Sequence, residues 1–172
     1  MPQALWINRQ FEFSARENIL PGIIERLEGT PMRLEAKVKG LPEEVLAEKH
    51  NSKFSLKEHI GHLSDLEPMW MGRLDEILAG QEAMRAADMK NKKTAEAGHG
   101  DKSIKVLLKE FKSARQYMVK RLRELPESAA FLASFHPRLQ KTMRIMDLFQ
   151  FVAEHDDHHL ARMTELLDHV KP

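Results

Sequence analysis

Apolar residues recur at three- and four-residue spacing along almost the whole chain, and that period predicts helices. The first stretch begins at Pro21, a residue suited to the first turn of a helix, and its stripe is Leu20, Ile23, Ile24, Leu27, Leu34 and Val38. Pro31 lies inside the stripe and removes a backbone donor. A kink or brief break is therefore expected near Gly29-Thr30, before Gly40-Leu41-Pro42 ends the element. A second helix opens on the capping box Ser55-Leu56-Lys57-Glu58 and carries Leu56, Ile60, Leu63, Trp70, Leu74 and Ile77 to a stop at Gly80. Pro68 lies within it and predicts a kink that frees the Ser64 carbonyl and widens a nearby pocket mouth.

A third helix runs from Asp101 or Ser103 to Pro126, with Ile104, Leu108, Phe111, Met118, Leu122 and Leu125 inward and a Lys/Arg/Glu-rich face outward. The fourth begins near Ile145 and reaches about His169, with Leu148, Val152, Met163, Leu166 and Val170 on its inner face. Residues 81–102 are polar and form a long connection with room for one helical turn around 83–89. Residues 127–142 hold Pro137 and a short apolar patch, and read as a loop over the bundle end. Nothing alternates as a strand or hairpin would, and nothing repeats. The expected fold is all-α: a four-helix bundle in one domain over residues 1–172, with 1–14 as an N-terminal extension.

Composition narrows the function. The 27 basic and 26 acidic residues leave a net charge of +1, which argues against a nucleic-acid partner. With no cysteine, disulfides, thiolate nucleophiles and cysteine-based metal sites are excluded, and the chain fits the cytoplasm. No apolar run is long enough for a signal peptide or a membrane span. Of the 10 methionines, Met32, Met118 and Met163 read as core.

The 9 histidines are the unusual feature. In His155-Asp156-Asp157-His158-His159, His155 and His159 lie one turn apart on the apolar face of the fourth helix. Imidazoles aimed at a core need partners, either backbone and water or a divalent metal. The zinc-protease motif does not apply, because Asp156 stands where its glutamate would be. A third ligand must come from elsewhere, and the second helix offers His59 and His62, between which pattern does not choose. A di-metal carboxylate bundle would need Glu-x-x-His, which neither helix has. A metal-dependent phosphohydrolase of the His-Asp type would need Asp156 beside His155 on the ligand face, from which it points away.

The run from Ser55 to Leu63, followed by Asp65, resembles the second-helix signature of the DinB/YfiT-like superfamily, and Ala153 to Leu160 resembles its fourth-helix signature. Gly40-Leu41-Pro42 and Phe54-Ser55 fit as well, although the family often has Trp where this chain has Phe54. The order of elements matches from residue 15 onward. The resemblance implies an up-down-down-up four-helix bundle, often a homodimer. It implies a divalent nickel, zinc, iron or manganese ion on His62, His155 and His159. His59, Asp65 and His158 become groups that support the ligands or line the pocket, with His158 directed towards the surface by its angular offset. Asp65 and Glu67 could orient a ligand imidazole or be solvated charges. The activities implied are metal-dependent hydrolysis and transfer using a low-molecular-weight thiol, both on a small-molecule substrate. A metal-binding or structural helical dimer that catalyses nothing is the alternative. A pocket open at the histidines separates the two.

Overall fold

The computed structural model describes residues 3–50 and 53–170, the last by its backbone only. The inner-face position expected for the Val170 side chain thus lies outside the described residues. Helices α1 (Leu20–Val38), α3 (Leu56–Leu78), α5 (Ile104–Arg123) and α6 (Ile145–Val170) form the bundle, and α2 (Glu43–Ala47) and α4 (Lys92–Glu96) are short connectors. The capping box forms as expected: the Glu58 amide donates to Ser55 Oγ and the Ser55 amide to Glu58 Oε2. At the start of α6, Asp147 reaches back to accept from the Arg144 amide at 3.0 Å.

Cross-helix pairs fix the direction of each helix. Arg26 pairs with Glu154 and Asp157, Thr30 donates to Asp156, and Lys37 donates to Thr164, so residue numbers rise together and α1 is parallel to α6. Glu67 meets Arg115 and Asp75 meets Arg121, so α3 is parallel to α5. His59 meets His159 while His62 packs on His155, so α3 is antiparallel to α6. The order is up-down-down-up, as the resemblance implied.

The apolar core falls into two clusters, one around Leu27, Trp70, Met118 and Val152, the other around Leu34, Leu63, Phe111 and Leu160. Between them each helix contributes one buried polar residue: Thr30, Glu67, Arg115 and Asp156. Arg115 Nη2 donates to Glu67 Oε1 at 2.7 Å, Arg115 also binds Asp156, and Thr30 Oγ1 donates to Asp156 at 2.8 Å. Glu67 is therefore neither a solvated charge nor an orienting group for an imidazole. Its carboxyl is held above the usual range by burial, against the pull of Arg115.

Several local expectations are corrected. α1 is unbroken across Pro31. The carbonyl that Pro31 cannot bond, Leu27 O, accepts from Arg115 Nη1 at 3.1 Å, and a neighbouring helix thereby removes the cost of the missing donor. α3 runs on as one helix across Pro68, and of the residues near it Leu66 and Trp70, not Ser64, line the adjacent pocket, so the pocket role expected for the Ser64 carbonyl falls away. Met32 is 73% exposed, unlike Met118 and Met163. On α5 Leu107 is fully buried, with Phe111 and Met118, whereas Leu108 is only half-buried.

Residues 83–89 form no helix; the turns fall instead at α4 and at the short 3-10 turn His99–Asp101. The expected loop over 127–142 contains an antiparallel hairpin, β1 (Ala133–His136) with β2 (Lys141–Arg144), preceded by a 3-10 turn over Glu127–Phe131. The Glu82–Met84 backbone pairs alongside Phe135, with Met84 N donating to Phe135 O at 2.9 Å and Phe135 N to Glu82 O at 2.9 Å. Burial does alternate along β1, but its inward residues are Ser134 and His136, so no apolar alternation marks the strand.

Candidate metal centre

α3 delivers His59 and His62 and α6 delivers His155, His158 and His159 to one wall, because the two helices cross antiparallel at that level. His62, His155 and His159 are buried, and each offers a ring nitrogen within 4.8 Å of those of the other two. His159 Nε2 faces His155 Nε2 at 3.2 Å. A head-on approach of two ring nitrogens is suited to a shared cation.

Hydrogen bonds fix which atom of His62 is free. Thr94 Oγ1 lies 2.9 Å from Asp65 Oδ2 and 3.0 Å from His62 Nδ1. A carboxylate only accepts, so the single hydroxyl proton goes to Asp65, and Thr94 accepts Nδ1–H from His62. The lone pair of His62 is then on Nε2. His99 Nε2 donates to the same Asp65 oxygen at 2.8 Å. Asp65 therefore acts on His62 through Thr94, as carboxylates behind metal-binding imidazoles do. His159 Nδ1 lies 2.8 Å from His59 Nδ1, so His59 can accept that proton and leave His159 Nε2 as the donor atom.

The rings of His59, His62, His155 and His159 are kept neutral. Burial, reinforced by His62 and His158, pushes His59 down to about 3. Burial pushes His62 to about 4 against the opposing pull of Asp65. Burial, with the neighbouring rings, holds His155 and His159 well below the usual imidazole range. Neutral imidazole is the ligating form.

The cluster opens onto a cavity of about 580 Å³. Trp6 packs its ring 5.0 Å from His155, Trp70 lies 6.0 Å from the same ring, and Phe54 lies 5.4 Å from His62. Trp6 belongs to the segment before α1, held down where Arg9 meets Glu154 at 2.6 Å. His158 is not at the surface: it is 7% exposed and lines the cavity, with Trp6 at 5.4 Å and His159 at 5.6 Å. The angular offset was real, but the N-terminal segment covers that side of α6. Burial, then Arg162 and Arg9, lowers His158 to about 4.

Sequence reasoning missed Thr94, His99, Trp6 and the far end of the cavity, where Arg73, His136 and Arg138 stand. His99 lies in the polar connection 81–102, where the sequence reads only as a linker. Thr94 carried no signal at all.

The family profile of the DinB superfamily matches residues 26–163, and the chain belongs to that superfamily. Among solved structures it is similar to YfiT from Bacillus subtilis, described as a probable metal-dependent hydrolase with an unusual four-helix bundle topology. The TM-score is 0.79 at 19% identity, covering 94% of this chain and 93% of that one. A Streptococcus pneumoniae protein solved by structural genomics shares the fold at a TM-score of 0.65 and 9% identity, over 91% of each chain. No curated protein sequence matches the chain. Among the described residues no helix is long and apolar enough to cross a membrane.

Proposed function

We propose that this chain is a metal-dependent enzyme that holds a divalent ion on His62, His155 and His159 and acts on a small molecule bound in the adjoining cavity. The observation that carries the reading is three neutral histidines converging on one point at the wall of a 580 Å³ cavity. Three protein ligands leave positions open for water or substrate, whereas a purely structural ion is normally enclosed by four. The donor set fits nickel, zinc, iron or manganese. Bound there, such an ion would supply Lewis acidity, lowering the pKa of coordinated water, polarising a carbonyl or holding a thiolate.

The protein's own residues do the positioning. Thr94 and Asp65 hold the His62 tautomer, His59 holds that of His159, and Trp6, Trp70 and Phe54 shield the rings from bulk water. Hydrolysis is the reaction we favour, in line with the description of YfiT. The cavity is also large enough for a low-molecular-weight thiol as the alternative nucleophile. A cytoplasmic homodimer completes the proposal.

Elemental mass spectrometry on the untagged protein tests it. One equivalent of divalent metal is expected, lost in His62→Ala, His155→Ala and His159→Ala and retained in His158→Ala. Wild-type protein that stays metal-free after reconstitution overturns the proposal and makes the histidines a structural feature of a helical bundle.

A further inference from the structure

The cavity is chemically two-ended. Along α3 it runs from His62 past Leu66 and Trp70 to Arg73, three turns or roughly 16 Å of helix axis. The middle is apolar, with Trp70 and Phe151 ring centroids 6.1 Å apart. At the far end Arg73 is 1% exposed, yet every hydrogen bond it makes is to a neutral acceptor. Its Nε and Nη2 donate to Arg85 O at 3.1 and 3.0 Å, and Nη1 lies 2.9 Å from His136 Nε2. Arg138, in the hairpin turn, stacks over Phe151 at 5.7 Å.

Among the described residues no carboxylate pairs with either arginine. Glu76, the acid whose field reaches Arg73, is occupied by Arg85 Nε at 2.6 Å and the Arg85 amide at 2.8 Å. The two acids that line the cavity among the described residues are committed as well, Glu165 to Arg162 at 2.7 Å and Asp88 to the backbone amides of Lys90 and Lys92. A buried cation is normally paired, and Arg73 without an anion, with the half-buried Arg138 adding its charge nearby, is costly.

We propose that Arg73 and Arg138, beside His136, form a subsite for the oxyanion of an elongated substrate, a carboxylate or phosphate, whose apolar middle lies along Trp70 and Phe151. It rests on the metal reading for its placement of the reacting end of that substrate among the histidines. Burial lowers Arg73 to about 10, with Arg138 adding to the effect, and burial followed by both arginines lowers His136 to about 4. An arriving anion therefore meets two guanidiniums and a neutral ring.

The test is calorimetric titration with 3-phenylpropanoate, 2-phenylethylphosphonate and the neutral 3-phenylpropanamide. Wild type and Arg138→Gln are each measured with zinc and after treatment with EDTA. Arg138 is the chosen position because the fully buried Arg73 is at greater risk of misfolding when replaced. At least one anion should bind about tenfold or more tighter than the amide, the scale of charge-assisted hydrogen bonds. The preference should survive EDTA and vanish in Arg138→Gln, whose zinc content should equal that of wild type. Whichever anion leads identifies the oxyanion. Anions that bind no tighter than the amide, or not at all, overturn the subsite. So does a preference that persists in Arg138→Gln, or one that disappears with EDTA because the metal was the anion's partner. A chain that takes up no zinc but keeps an Arg138-dependent preference overturns the metal reading and supports the subsite.

Discussion

At the scale of single residues, what distinguishes one histidine from another is the proton each is obliged to carry. His62 donates to Thr94 because Thr94 must donate to Asp65. Thr94→Val removes that acceptor and frees His62 to rotate or change tautomer. Zinc affinity, read by competition with a chromogenic chelator, should fall about 10–100-fold with the fold intact. Unchanged affinity would show that the relay does not hold the ring. The three converging histidines were legible in the sequence: His155 and His159 from their spacing on an apolar face, and His62 from its place in the resembling motif. Thr94 and His99 were not. They act through a connection between helices, and a lone Thr in a Lys-rich segment has no periodicity to reveal it.

At the scale of elements, the polar residue that each helix places between the two core clusters sets which levels of the helices meet. Arg115 touches Glu67, Asp156 and the Leu27 carbonyl together. Arg115→Met would leave two buried carboxyl groups and an orphaned carbonyl, and should cost about 3–5 kcal/mol in urea denaturation. Loss of less than about 1 kcal/mol would mean the layer relaxes or hydrates. Gly61, between the two α3 histidines, has a related constraint: a Cβ there would overlap the His99 ring. Gly61→Ala should destabilise by about 1–3 kcal/mol despite the better helix propensity of alanine. A neutral or stabilising result would show that His99 moves freely. The four long helices were readable from periodicity and caps. The hairpin was not, since it buries Ser134 and His136, and neither was the continuity of α1, since the group that rescues Leu27 O is 88 residues away.

For the molecule as a whole, so many buried neutral imidazoles couple stability to pH. In the unfolded chain they take up protons near pH 6.5. In the folded chain His62, His136 and His158 hold out to about 4 and His59 to about 3. Across that window the unfolded state binds more protons, so stability rises with pH and is lost as pH falls from about 6.5 towards 4. The thermal midpoint of metal-free protein should be clearly lower at about pH 5 than at about pH 7. A flat profile would mean the rings are hydrated and titrate normally.

The pairing of α3 with α6 also has a consequence in time. His62 is made long before its companions: 155 − 62 = 93 residues of synthesis separate it from the first of them. At roughly 5–20 residues per second that is a wait of about 5–20 seconds. No nascent chain can close three histidines on an ion until α6 has been made and has docked. On the proposed ligand set, loading would report a finished bundle, and the half-made site would need guarding against the wrong metal only as a single histidine.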